Sequence, residues 1–277
     1  RPSDITAAIA VNSLTFNLAR FIGPAVAGIV ITTMGIAPAF LINALTFVIF
    51  IIALYQLRLP PQKFADRAAS GIFADILHGF RYAAHHPGIG PALILLAAAA
   101  IGVKPFLELL PGLADGVFQA GVEGFAFFSA ISGAGAIIAG VWMAARGAIQ
   151  GTTRIAFAAM LLGVIGVFTV CATQIIWVGL LGTFLVGAAV TLAGTSTQIM
   201  MQNSVDGAMR GRVMSLYGVV HRGAPALGAV IIGITAEQIG LQPAMIGGGV
   251  VTGIVFVVML RRYRPMVATL EGGRGQA

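Results

Sequence analysis

Residues 17–28 read NLARFIGPAVAG, a stretch set inside a long apolar run yet carrying Arg20, Pro24 and a ladder of small residues, Ala19, Gly23, Ala27 and Gly28. The pattern returns about two hundred residues later as HRGAPALGAV, residues 221–230. In both copies an arginine, Arg20 or Arg222, precedes a run of small, proline, alanine, variable, small, small. Gly23-Pro24-Ala25-Val26-Ala27-Gly28 aligns with Ala224-Pro225-Ala226-Leu227-Gly228-Ala229. Each copy is followed by a short break with a second proline, Pro38 or Pro243, and then by an apolar segment ending in Arg. A two-helix unit therefore repeats, Pro24 matching Pro225 and Pro38 matching Pro243. Self-similarity at so long a period in an apolar chain points to an architecture of repeated helical bundles.

Composition sets the class. Hydrophobic residues make up 58% of the 277-residue chain and charged residues only 9%, where a soluble domain carries about a quarter charged. Residues 36–57 and 125–145 are free of charge and exceed the ~18 residues that a membrane-crossing helix requires. They lack the alternation of barrel strands, and only helices or closed barrels cross lipid. The expected fold class is an all-α polytopic membrane protein. The single cysteine, Cys171, rules out an intramolecular disulfide or a cysteine metal site. The chain opens on Arg1-Pro2-Ser3-Asp4 without Met or a signal-peptide pattern, which reads as a piece of a longer protein or a processed one.

Eight spans are expected, at residues 6–33, 36–57, 89–113, 121–145, 154–173, 175–203, 212–236 and 242–260. The uncharged block 155–205 is too long for one span, and Cys171-Ala172-Thr173-Gln174 is its break. With the amino end in the cytoplasm, thirteen of the sixteen Lys and Arg residues fall on cytoplasmic segments. The opposite loops hold none, only Asp115, Glu123 and Glu237; Arg20, Lys104 and Arg222 lie within spans. This asymmetry orients the chain with both termini cytoplasmic. It also accounts for the net charge of +7 without nucleic acid.

The longest loop runs from 58 to 88. Ile72, Phe73, Ile76, Leu77 and Phe80 form an apolar stripe at helical spacing, with Asp75, His78, Arg81 and His85 mainly opposite. The expectation is an amphipathic helix on the cytoplasmic membrane surface. His78, His85 and His86 read as a solvated face, and no metal site is expected. Because spans one and two are echoed by seven and eight, spans three to eight make one complete six-helix half. The expected division is 1–60, the last two spans of an amino-terminal half; 61–88, the linker; 89–264, the complete second half; and 265–277, a cytoplasmic tail. Four spans are expected to be missing from the amino end.

At this point the sequence resembles the major facilitator superfamily. GPAVAG is similar to the antiporter motif GPxxGG of that superfamily's exporters, with Ala27 in place of the first glycine of the final pair. The longer AVNSLTFNLARFIGPAVAG (10–28), LLPGLADGVFQAGVEGF (109–125) and RGRVMSLYG (210–218) resemble the bacterial exporter branch of the enterobactin exporter and the transmembrane secretion effectors. The resemblance covers nearly the whole chain as helices five to twelve of twelve. The loop motif GxxxDRxGRR is absent, and its second copy survives only as AARGAIQGTTR (144–154), without the acidic residue. The resemblance implies a secondary active transporter in the bacterial inner membrane, with proton-coupled efflux of a drug- or siderophore-like small molecule. Its partners would be membrane lipid, the substrate and protons.

Several residues are candidates for that chemistry. Small residues four apart let helix backbones approach closely, and Pro24 or Pro225 bends its helix. The ladder Gly23, Pro24, Ala27, Gly28 with Pro225 and Gly228 is either a gating seam or tight packing. Arg20 and Arg222 sit where a charge costs at least ~2.5 kcal/mol. They either face a cavity, holding substrate anions or balancing a carboxylate, or snorkel to the interface. Lys104 and Glu108, one turn apart beside Pro105, are a proton-carrying candidate or a self-neutralising pair. Asn12, Asn17, Asn43, Gln198 and Gln202 either line a path or bond between helices, and Met200 and Met201 read as packing. Arg210, Gly211 and Arg212 form a cytoplasmic loop motif. No GxxxxGK, HExxH or GxSxG pattern occurs, so neither an enzyme nor a cofactor is expected. The alternative is a non-transporting membrane fragment or an assembly module.

Overall fold

Prolines, glycines and the chain's few polar runs decide where the helices stop. The computed structural model describes residues 26, 30, 33–56, 72–205 and 209–272. Eleven helices lie within them: α1 Ile36–Tyr55, α2 Ile72–His85, α3 Ile89–Gly102, α4 Pro105–Glu108, α5 Leu110–Gly116, α6 Gly121–Arg146, α7 Thr152–Cys171, α8 Ile176–Ser204, α9 Arg210–Ile239, α10 Leu241–Leu260 and α11 Tyr263–Leu270. There is no strand among the described residues. With α3 and α4 taken together, seven helices are long and apolar enough to cross a bilayer. They match the second to eighth expected spans closely, and α7 gives way to α8 across the expected break at 172–175. The first expected span, 6–33, falls almost wholly outside the described residues.

The third span departs from a simple rod. It was expected as one helix over 89–113, but it is broken after Gly102 and again at Leu109. Pro105 has no N–H, and both Val103 and Lys104 donate to the Ala99 carbonyl (3.0 and 2.9 Å), the second an i→i−5 bond that widens the turn. Between α9 and α10 a single residue suffices, because Gly240 takes φ +89°, where a side chain would be strained.

The six-span unit closes on two apolar clusters. At the end that carries most of the basic residues, Ile89, Leu93, Leu96, Met160, Met200, Met201, Val213, Met266 and Leu270 pack together. At the opposite end, Val103, Phe106, Leu113, Phe128, Val167, Val186, Ile232 and Met245 do so. α8 lies at the centre, against α7 on one side and α6 on the other. Close approach on the α7 side rests on Gly166 and Gly182: a Cβ on either would lie 2.9 or 2.8 Å from the other's carbonyl oxygen. The outward faces are apolar, with Leu161, Ile165, Trp177, Leu181, Ile254 and Val257 exposed. A continuous surface of this kind suits lipid. α1 is exposed on every side among the described residues.

Two segments pack differently from the sequence expectation. Leu77 and Phe80 of α2 do present an exposed apolar stripe. The helix, however, holds to the bundle by a third face, Gly79 and Ala83, laid on the start of α9. The expected tail begins as structure: α11 continues to Leu270, with Met266 and Leu270 buried in the first cluster. The signal was present in the sequence as the apolar spacing of Met266 and Leu270, four apart on one helix face.

Candidate functional site

The site grows from two prolines on facing helices. A proline in a helix leaves the carbonyl four residues earlier without its partner and pushes it aside. Pro105, at the start of α4, frees the carbonyl of Ile101 on α3. Pro225, inside α9, frees the carbonyl of His221. Each freed carbonyl is met by the other helix. The Lys104 Nζ donates to the His221 oxygen at 2.7 Å. The Ile101 oxygen crowds the position that a Cβ on Gly228 would take, and the Pro105 ring lies 2.6 Å from the same point. The second copy of the proline–glycine ladder, Pro225 and Gly228, is thus buried at a close crossing between α9 and the break in α3–α4.

Around this crossing the polar groups are ordered by packing. His221 stacks on Tyr217 with centroids 5.3 Å apart and planes 9° from parallel. The Tyr217 hydroxyl donates to the Gly194 carbonyl of α8 at 3.1 Å. Gly194 itself admits the imidazole: a Cβ there would come 2.7 Å from His221 Cε1. Arg222 is the next residue along and is exposed. On α4, Glu108 is exposed while Pro105 and Phe106 are buried. The structure therefore brings together Lys104, His221, Pro225 and Gly228, with Arg222 and Glu108 open at the flanks. Lys104 reaches a backbone carbonyl of α9, a contact that the i,i+4 reading with Glu108 did not include. Gln198 and Gln202 on α8 are half-buried, and Asn43 on α1 is exposed. Arg20, Asn17, Asn12, Gly23, Pro24, Ala27 and Gly28 lie outside the described residues.

The motif Arg210-Gly211-Arg212 stands at the other end of α9, away from this crossing. It opens that helix, and Arg212 packs on α2: a Cβ on Gly79 would lie 3.1 Å from Arg212 Cβ. Arg212 Nη1 also approaches Met209 Sδ at 3.5 Å. Two of the linker's histidines, His85 and His86, serve the backbone. The His86 Nδ1 accepts from the amides of Gly88 and Ile89, both at 3.1 Å, at the start of α3, and the His85 Nδ1 lies 2.7 Å from the Arg81 carbonyl.

Sequence reasoning missed one carboxylate. Glu271, just beyond α11, accepts from the amides of Gly151 (2.5 Å) and Thr153 (2.7 Å), capping the N-terminus of α7. An anion there satisfies free N–H groups and the helix dipole. The loop before α7 is the worn AARGAIQGTTR, which lacks its own acidic residue; the carboxylate comes instead from the chain's far end. Ser204 of α8 donates to the Leu270 carbonyl at 3.1 Å. Arg146 donates to the Gln150 carbonyl beside the same cap.

The profile of the transmembrane secretion effector family, within the major facilitator superfamily, matches residues 1–271. The chain belongs to that family. Among similar proteins, the staphyloferrin A transporter of Staphylococcus aureus (strain NCTC 8325 / PS 47) is 24% identical over 266 residues, covering 96% of this chain and 66% of the relative. The uncharacterized MFS-type transporter YfiS of Bacillus subtilis (strain 168) is 27% identical over 277 residues, covering 92% of this chain and 63% of the relative. The chain thus spans about two thirds of the length of the curated relatives it matches. This transmembrane secretion effector family member is a polytopic α-helical membrane protein of a transporter family, and not an enzyme.

Proposed function

We propose that this chain is the larger part of a proton-coupled exporter of small anionic molecules, with its six-span unit, residues 89–264, forming one half of the transporter. Residues 1–60 would then be the last two helices of the other half, and four further helices would complete it. The observation that carries the reading is the placement of Arg222: an exposed arginine in an apolar helix, three residues before an internal proline, in a family of transporters. A charge placed so deep in a span serves a water-filled path or a partner. Arginine's planar fork suits carboxylate-bearing ligands. The all-round exposure of α1 supports the division into halves, since its packing partners are not among the described residues. The relative named for staphyloferrin A supports a siderophore-like cargo. Efflux, rather than uptake, rests on the resemblance of GPAVAG to the exporter motif. The basic-residue asymmetry supports a cytoplasmic position for both ends of the chain and for α2 and α11.

The test uses everted inner-membrane vesicles from cells that make the complete protein. An imposed inside-acid gradient should drive uptake of carboxylate-bearing fluorescent dyes and siderophores, and a protonophore should abolish it. Flux that ignores the protonophore would refute proton coupling. Absence of flux for every probe, with the protein inserted and monodisperse, would favour the non-transporting assembly module.

A further inference from the structure

We infer that Lys104 is a positioning residue that replaces the backbone donor Pro225 removes, so that α9 beside Arg222 is held by an ammonium on the neighbouring helix. The inference stands on the packing geometry and not on the transport reading. Residue 225 is the position whose N–H would bond the His221 carbonyl in an unbroken helix. That N–H does not exist, and the Lys104 Nζ lies 2.7 Å from the stranded oxygen. A charged donor makes a stronger bond than the amide it replaces. The reach is set from below: Pro105 breaks the helix so that Lys104 sits in a turn against α9, and the Ile101 carbonyl freed by that break lies against Gly228. The two helices therefore fasten each other at two points, His221 and Gly228, seven residues apart on α9.

This divides labour between the two cations. Lys104 is committed to a carbonyl on the far side of the crossing and is half-buried. Arg222, one residue past that carbonyl, is exposed and left to face whatever occupies the space beside α9. On this assignment Lys104 sets the direction in which Arg222 projects, without itself meeting a ligand.

The experiment is a double-mutant cycle read by distance. In a Cys171→Ala background, nitroxide labels at Val219 and Ile234, both exposed on α9, report its shape across Pro225 by pulsed electron spin resonance in the purified chain. Lys104→Met should broaden and shift the label–label distance, and Lys104→Arg should restore it. Pro225→Ala restores the backbone donor, so Lys104→Met should have no further effect in that background. The inference is overturned if Lys104→Met leaves the distance unchanged beside Pro225, or shifts it equally beside Ala at 225. Should Lys104→Met fail to fold, Lys104→Gln serves in its place. It keeps a neutral donor and should give an intermediate distribution beside Pro225 and none of that change beside Ala.

Discussion

Gly228 is the residue at which the crossing is least forgiving. Its missing Cβ leaves room for the Ile101 carbonyl and the Pro105 ring, and neither is the loose end of a flexible side chain. Gly228→Leu should therefore destabilise the bundle by about 1–3 kcal/mol, the usual cost of overpacking, seen as a lower Tm in detergent. Gly233, on the same helix with nothing within 4 Å of a Cβ, is the control: Gly233→Ala should be neutral or slightly stabilising. At Arg222 the expectation concerns activity and not stability. Arg222→Ala in the complete protein should lower transport with normal expression, and Arg222→Lys should recover only part, because an ammonium lacks the planar fork. Full transport by Arg222→Ala would mark the residue as an interface anchor. Much of this residue-scale picture was legible beforehand: Pro225, Gly228, Lys104 and Arg222 stand out as exceptions in apolar runs. What could not be read was the pairing. An i,i+4 rule joins Lys104 to Glu108 within one helix, whereas the stronger demand is a stranded carbonyl on another, and no local pattern records which helices face each other.

Among the elements, α11 departs furthest from expectation. Its charge-rich flank, Arg261, Arg262 and Arg264, suggests a free tail, yet Met266 and Leu270 are fully or nearly buried. Glu271 then bonds two amides at the N-terminus of α7. Those bonds join residues some 120 apart, so neither end of the contact announces the other. Glu271→Ala should cost about 1 kcal/mol, as loss of an N-cap does, and should raise amide exchange at Gly151 and Thr153 while leaving α9 untouched. Exchange unchanged at those two amides would show that α11 is held by its apolar contacts alone. α2 teaches a related lesson. Leu77 and Phe80 of its amphipathic stripe are exposed, but the docking face is made of Gly79 and Ala83, residues too small to weigh in a hydrophobic pattern. Long apolar helices such as α7 and α8 were legible almost to the residue because length and lack of charge suffice to define them.

On the scale of the whole molecule, membrane placement follows from charge asymmetry and can be checked directly. Cys171 is buried, so a single introduced thiol is easily distinguished from it. Thiol probes that cannot cross the membrane should label Cys at Ala148 only from the cytoplasmic side and Cys at Gln119 only from outside. Reversed labelling would invert the assignment. A second expectation concerns the chain taken alone. Alternating access needs two bundles closing on each other around a shared path, and α1 has no cover among the described residues. Reconstituted in liposomes under an imposed proton gradient, the 277-residue chain should give no saturable flux of dyes or siderophores. Flux that collapses with a protonophore would mean that copies of the chain supply one another's missing surface. The crossed prolines also leave a mark on descent. Losing Pro225 alone sets a restored amide in competition with an ammonium; losing Lys104 alone strands a carbonyl. Each change is tolerated best when the other accompanies it. Lineages that diverged from a common ancestor of this protein should therefore keep a basic residue at 104 and proline at 225 as a pair, or have abandoned both, with the mixed genotypes rare.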